Sequence, residues 1–375
     1  MILLLTLWAC KDEAEVHDSA PSPWDDGEAM ILIEDGQPAL YGSVDGGPSL
    51  LWALDTGADR MYLDQDLADG QRTVTAELTL GSLTLPDQAL RALDLSEAEA
   101  ALGVDLGGLA GEPLFEGRYV TLDYRASRVH FGDEPLPGAP RAGGEGPTVF
   151  DTETQGGLPI LTLDLGGPTR LIADTGSGVT VLTQSRFDAI DDGGLPRLQG
   201  YVWSTSYGSD AAFVTRLPAE GVPGLSVGGT WAVVVPDENH LSPLLAQAHI
   251  DAEGFLGYPF YRRGALGVDV DQAQLSFWPY EAPDSLEAEE WRRVGVELAA
   301  REGELRVEMV FSPSDAEDQG VQVGDRLLRI DGQAPADLAA ARRALRGEGV
   351  RALELEREGA PLSLSVAVED LLPAL

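Results

Sequence analysis

Apolar and polar positions along the chain fall into short β-type runs punctuated by Gly and Pro. LTLGSLTL (78–85), YVTLDY (119–124) and WAVVV (231–235) are rich in β-branched, aromatic and Leu residues over strand-like lengths. Residues 201–217 read as a hairpin with Gly208 near its turn. Helical spacing is confined to 95–102, 243–248 and 335–346, the last with Leu338, Ala341 and Leu345 on one face. Gly/Pro-rich breaks at 135–147 and 282–285 divide the body into three units. The pattern predicts a mainly β protein.

The first ten residues, MILLLTLWAC, form an apolar run too short to span a bilayer, followed at once by the acidic, Pro-containing stretch 11–28. Leu7, Ala9 and Cys10 fit the end of a bacterial lipoprotein signal, with Cys10 as the lipid attachment site. Trp8 and the missing basic residues depart from that pattern. The alternative is a frayed apolar stub with an incidental Cys. The lipoprotein reading implies export to the cell envelope, with residues 1–27 as signal remnant and acidic tether.

An internal repeat relates the first two units. GGPSLLWALDTGADRMYLDQ (46–65) aligns with GGPTRLIADTGSGVTVLTQ (166–184), LTLGSLT (78–84) with LSVGGTW (225–231), and GLAGEPLFEGRYVTLDYRASRVHF (108–131) with GFLGYPFYRRGALGVDVDQAQLSF (254–277). Each copy carries one D-T-G after an apolar strand and an apolar-apolar-Gly further on, at Leu109-Ala110-Gly111 and Phe255-Leu256-Gly257. A lone D-T-G in a β protein reads as a turn. Chance supplies about 0.2 copies in this composition, so a matched pair changes the picture.

Composition narrows the chemistry. The 375 residues hold 25 Lys+Arg against 63 Asp+Glu, a formal net charge of -38 that repels nucleic acid and anionic lipid heads. Lys11 is the sole lysine, which removes P-loop, kinase, Schiff-base and Ser-Lys mechanisms from the body. One Cys and four scattered His (His17, His130, His240, His249) allow neither an intrachain disulfide nor a cysteine-based zinc cage, and H-E-x-x-H is absent. Carboxylates and hydroxyls are left to carry any reaction. Gly224-Leu225-Ser226-Val227-Gly228 matches the G-x-S-x-G nucleophile elbow, but its sister copy has Thr79 within a strand pattern and no strand-to-helix switch.

The paired motifs resemble the aspartic proteases: DTGAD (55–59) the retroviral type and DTGSG (174–178) the pepsin type. The whole is similar to bacterial retropepsin-like proteins with tandem half-barrel lobes, over roughly residues 28–281. Glu112-Pro113 and Tyr258-Pro259 stand where the retroviral proteins carry Arg-Asn. The resemblance implies a two-lobed acid-protease barrel fold, with lobes at 28–137 and 148–282, and an endopeptidase dyad of Asp55 and Asp174. Two carboxylates so close cannot both ionise, so the pair holds one proton and works as base and acid at once, needing no metal or cofactor. Gly57 and Gly176 are expected to let the two turns approach, Thr56 and Thr175 to hydrogen-bond across the junction, and Ser177 to donate to the outer oxygen of Asp174, for which Ala58 offers no counterpart. Asp59 contacts substrate main chain if the retroviral likeness holds, or pairs with Arg60. Asp123 and Asp269 recur as strand-to-turn residues.

Residues 291–370 contain EMVFSPSDAEDQGVQVGDRLLRIDGQ (308–333), which resembles a PDZ domain of the bacterial protease-associated kind, an α+β unit. The resemblance implies a peptide groove beside the helix near 337–346, with 294–298 as candidate carboxylate-binding loop; Glu297 there would oppose a C-terminal carboxylate. A packing appendage is the structural alternative. The combined expectation is a monomeric, exported, lipid-anchored aspartic endopeptidase acting on peptide or protein substrates, with possible peptide binding by the third unit. The rival is a catalytically silent peptide-binding scaffold of the same fold.

Overall fold

Each copy of the repeat builds the same interlaced strand pattern around its D-T-G. In the first, Leu50–Leu54 leads into Asp55 and runs parallel to Leu106–Ala110; Tyr62–Asp64 leaves the turn antiparallel to that strand and parallel to Leu83–Leu93. In the second, Pro168–Ala173 runs parallel to Gly254–Leu256, and Val181–Thr183 is antiparallel to that strand and parallel to Trp231–Val235. Strands buried on both faces must be apolar throughout, and LLWAL before Asp55 is buried from Leu51 onward. The computed structural model describes residues 28–34, 36–136, 146–217, 230–280 and 290–373. Cys10, most of the 135–147 break, the 282–285 break and Ser226 lie outside the described residues.

The protein is mainly β and two-lobed. Between the lobes lies a six-stranded sheet in the order Glu28–Met30, Arg128–Gly132, Tyr119–Asp123, Gly264–Asp269, Gln274–Pro279, Thr148–Asp151. Three strands come from each lobe, and the order is palindromic with respect to the repeat. At its centre Leu122 pairs with Leu266, Val120 with Val268, and Thr121 with Gly267. Thr121 and Gly267 are equivalent in the repeat, so the pseudo-twofold axis passes through this pair. Asp123 and Asp269 close the hairpins beside it by accepting from the N–H groups of Ala126 and Gln272, each at 3.0 Å. One apolar core, including Leu54, Leu122, Leu171, Leu266 and Phe277, runs through both lobes and this sheet.

In lobe 1, Gln37–Val44 also pairs with Thr73–Leu80, closing a seven-stranded sheet on itself. The run LTLGSLTL is bent here rather than extended: Gly81, at φ 56°, turns it into a hairpin between Thr73–Leu80 and Leu83–Leu93. Among the described residues lobe 2 forms an eight-stranded sheet with Leu198–Thr205 at its edge, paired with Gly208–Arg216 in the hairpin expected from the sequence. Ser206 and Tyr207 form its tip.

The C-terminal part folds as a five-stranded antiparallel sheet, Val296–Arg301, Glu304–Val310, Arg326–Ile330, Val350–Arg357 and Ala360–Ala367 in sequence order. Helix Leu338–Ala344 packs against its first strand. The helix starts later than its apolar spacing suggests, because the Asp337 carboxylate caps it by accepting from the Ala340 N–H at 2.7 Å. This unit has its own core, but Trp291, Phe311 and Leu372 enter the core of lobe 2 with Trp231 and Val233.

If the lobes share one core, Leu122→Ala should lower the stability of both, by ~2–5 kcal/mol. Hydrogen exchange should accelerate by the same factor in 50–54 and in 168–173; faster exchange in lobe 1 alone would show that the lobes unfold separately.

Candidate active site

The two D-T-G turns meet tip to tip. Thr56 Oγ1 donates to the Ala173 carbonyl at 2.6 Å and accepts from the Thr175 N–H at 3.0 Å; Thr175 Oγ1 donates to the Leu54 carbonyl at 2.7 Å and accepts from the Thr56 N–H at 3.0 Å. Both threonines are buried, so each of the four bonds closes a polar group that water cannot reach. The turns are anchored behind by Asp55 N–H to the Ala110 carbonyl and Asp174 N–H to the Leu256 carbonyl, each 3.0 Å. This explains the apolar-apolar-Gly segments. A Cβ on Gly111 would stand 2.5 Å from the Ala58 carbonyl oxygen, and one on Gly257 2.6 Å from the Val179 carbonyl carbon, so only glycine lets each turn rest on its supporting strand.

The grip presses each carboxyl against the opposite lobe. A Cβ on Gly57 would lie 2.5 Å from Asp174 Cγ, and one on Gly176 2.5 Å from Asp55 Oδ1. Gly57 N–H also donates to Asp55 Oδ1 at 2.8 Å. Burial raises the Asp55 carboxyl above its ordinary range, against the opposing pull of its hydrogen bonds with Asp174 and the Gly57, Ala58 and Gly176 N–H groups. Burial, then the Asp55 charge and the Asp55 hydrogen bond, hold Asp174 well above it. Asp174 Oδ1 is buried with no hydrogen-bond donor among the described residues. Asp55, Asp174, Thr56, Thr175, Gly57 and Gly176 thus converge on one point.

Ser177 differs from expectation. Its hydroxyl donates to the Val179 carbonyl two residues on, at 2.7 Å, closing its own turn, and its N–H donates to the Asp174 backbone carbonyl at 3.3 Å. Asp59 is bound bidentately by Arg60 and accepts from the Tyr62 hydroxyl at 2.8 Å. Burial would raise its carboxyl, but the Arg60 and Tyr62 bonds outweigh this and hold it below the usual range. It stands beside the dyad as an ion-pair partner of Arg60.

Three tyrosines complete the surroundings. Tyr207, at the tip of the lobe 2 hairpin, is 52% exposed and lies beside Tyr62 of lobe 1, so the hairpin reaches across to the other lobe. A Tyr-Gly pair at a hairpin turn between two apolar runs was the available sequence signal. Tyr261 lies buried close to Asp174, stacked on Tyr124 at 6.3 Å, and neither hydroxyl has a partner among the described residues. Its repeat-mate in lobe 1 is Phe115, which has no hydroxyl. That difference was readable once the copies were aligned. Among the described residues no group of three or more His, Cys, Asp and Glu is arranged to hold a metal.

The raised carboxyls have a consequence for stability. A raised folded-state pKa means that protonated dyad carboxyls stabilise the fold fully below the free value, and that this is lost as pH rises through the raised values. Asp174→Asn should therefore raise the urea midpoint at pH 7, while wild type and variant should converge below pH 3.8, the ordinary value. A gain unchanged by pH would show that the dyad carries no perturbed proton.

No protein-family model matches the chain, and no curated protein matches it. Among solved structures it is similar to the aspartic proteinase from Irpex lacteus, at 12% identity and a TM-score of 0.44, over 70% of this chain and 99% of that one.

Proposed function

We propose that the protein is an aspartic endopeptidase whose catalytic pair is Asp55 and Asp174. The observation that carries this reading is the reciprocal seating of the two carboxyls, each held against the glycine of the other lobe with its proton affinity raised. In this reading the ionised member takes a proton from a water molecule as its oxygen attacks the peptide carbonyl carbon. The protonated member hydrogen-bonds the carbonyl oxygen and gives up its proton as the tetrahedral diol forms. Collapse breaks the C–N bond, with the departing amine taking a proton from the dyad. Water is the nucleophile and no covalent enzyme intermediate arises.

The third unit reads as a PDZ-like module beside this cleft, with strand Val296–Arg301 and helix Leu338–Ala344 as groove walls. Its Glu297 accepts from Arg342 Nε at 2.6 Å and Arg293 Nη2 at 2.7 Å. Burial would raise Glu297, but the two arginines hold it at about 2. Arg293 and Arg342 are thus engaged by an internal carboxylate, whose charge opposes the entry of a C-terminal carboxylate. The N-terminal segment belongs to the same proposal as a lipid anchor on Cys10 that holds a monomeric enzyme at the cell envelope.

Asp55→Asn and Asp174→Asn should each reduce cleavage of a peptide library by on the order of 10⁴-fold or more, with the double variant no worse than either single. Activity should be bell-shaped in pH with an acidic optimum, falling at high pH as the second carboxylate ionises and at low pH as the first is protonated. Cleavage retained by either Asn variant removes the dyad assignment; inert wild type from pH 3 to 8 favours the silent scaffold.

The anchor is tested by partition. Wild type should pellet with membranes and incorporate a fatty-acid analogue, and Cys10→Ala should do neither. Identical behaviour of the two removes the lipid anchor.

A further inference from the structure

The edge of the lobe 2 sheet and the edge of the third unit's sheet meet the same element of lobe 1. Strand Leu198–Thr205 has the free edge of the eight-stranded sheet, an exposed ladder that proteins ordinarily cover. Here it is covered at its base. Gln199 and Ser312 exchange two backbone hydrogen bonds, at 2.8 and 3.0 Å, and Val202 N–H points to Met309 Sδ at 3.4 Å. Tyr201 stacks on Phe311 with ring centroids 6.5 Å apart. At the foot of the other hairpin strand, buried Arg216 donates to the Leu372 and Pro373 carbonyls at 2.8 and 2.9 Å. Hairpin and third unit are therefore one body.

That body touches lobe 1 at two places. One is the tip, through Tyr207 and Tyr62. The other is helix Ser96–Leu102, which packs on lobe 1 through Leu95 and Leu102 and presents its other side to both Val296–Arg301 and Leu198–Thr205. Arg301 holds Glu97 bidentately, Nη1 to Oε1 at 3.1 Å and Nη2 to Oε2 at 2.9 Å. The helix ends at Gly103, φ 74°, where an added Cβ would stand 3.0 Å from Leu338 Cβ at the start of the third unit's helix. The lobe 1 helix thus lies along the wall of the groove between Val296–Arg301 and Leu338–Ala344. The groove backbone is engaged as well: Leu298 C=O accepts from Arg342 Nη2 at 2.9 Å, and Leu298 N–H donates to Glu297 Oε1 at 3.2 Å. An extended peptide adding here would meet occupied groups and a helix in its path.

We propose that the third unit is an intramolecular latch: by gripping helix Ser96–Leu102 it holds the lobe 2 hairpin closed over the junction and limits substrate entry. The proposal rests on the peptidase reading for its consequence, though not for its geometry. Lobe 1 cannot part from the hairpin tip without also parting from Arg301 and Leu338, so the two contacts open together. Access to the cleft is thereby set at a joint remote in sequence from both D-T-G turns.

Hydrogen exchange of the full chain tests this without requiring activity. Glu97→Arg places like charges together at an exposed site and leaves both cores intact; Arg301→Ala removes the pair from the other side. Each should accelerate exchange in 96–103 and in the hairpin tip 205–209, by about fivefold, leaving 350–367 unchanged. Cleavage of a folded protein should rise by a similar factor in kcat/KM while that of a short unstructured peptide stays constant. Faster exchange in the helix with an unchanged tip overturns the latch, as does an equal gain on both substrates. If the tip loosens yet no form cleaves any substrate, the latch stands and the peptidase reading falls.

Discussion

The reciprocal bonding of Thr56 and Thr175 is the constraint from which the site follows. Two acidic side chains repel once both are charged, and each loses hydration on approach, so nothing in the carboxyls themselves brings them together. What does is the pair of threonines behind them, each spending its hydroxyl hydrogen on a carbonyl of the other lobe and its lone pair on the other's N–H. Each such bond contributes only ~1 kcal/mol net, but breaking one strands buried polar groups at a cost of ~1–3 kcal/mol. The geometry is therefore stiff even though the stabilisation is modest. The central sheet carries the same twofold relation through the Thr121–Gly267 pair, so the carboxyls are held by a symmetric frame from below as well as from behind.

A symmetric frame would give two equivalent acids, and the departures from symmetry make them unequal. Asp174 has Tyr261 close by where the equivalent residue of lobe 1 is Phe115, and Asp174 Oδ1 has no donor among the described residues. Burial raises the proton affinity of both carboxyls. The expected source of asymmetry, the Ser177 hydroxyl, is spent on its own turn. Further departures lie on the lobe 2 side: the hairpin of Leu198–Thr205 and Gly208–Arg216, and the third unit that pairs with its edge.

Much of this was legible in the chain because the repeat puts constraints in pairs. The dyad turns, their buried preceding strands and the apolar-apolar-Gly supports are each local, and two copies at matched offsets separate them from chance. The Asp123 and Asp269 turns were legible for the same reason. The Ser177 partner was not, since a hydroxyl chooses among acceptors within two residues and composition does not rank them. Nor was the turn at Gly81, which divides a continuous apolar run that reads as one strand. The bridge between Gln199 and Ser312 joins residues 113 apart by backbone groups, which every residue type carries, so no side-chain pattern marks it. Helix 96–102 was found by its spacing, but that spacing reports only the face turned to lobe 1.

Surface charge bears on the same chemistry. At neutral pH the chain carries a formal charge of -38, and its self-repulsion opposes a compact state. Acidification removes that charge, so the net value passes through zero near the pI of about 4.2. Burial raises both dyad carboxyls above the ordinary value of 3.8, so the pair retains protons at a pH where carboxylates of ordinary affinity have already ionised. Further acidification builds positive charge only on 25 Lys+Arg and four His, fewer groups than the 63 acids that have been silenced. Acid thus relieves the fold twice before it strains it, by silencing the surface carboxylates and by protonating buried carboxyls that burial disfavours as anions.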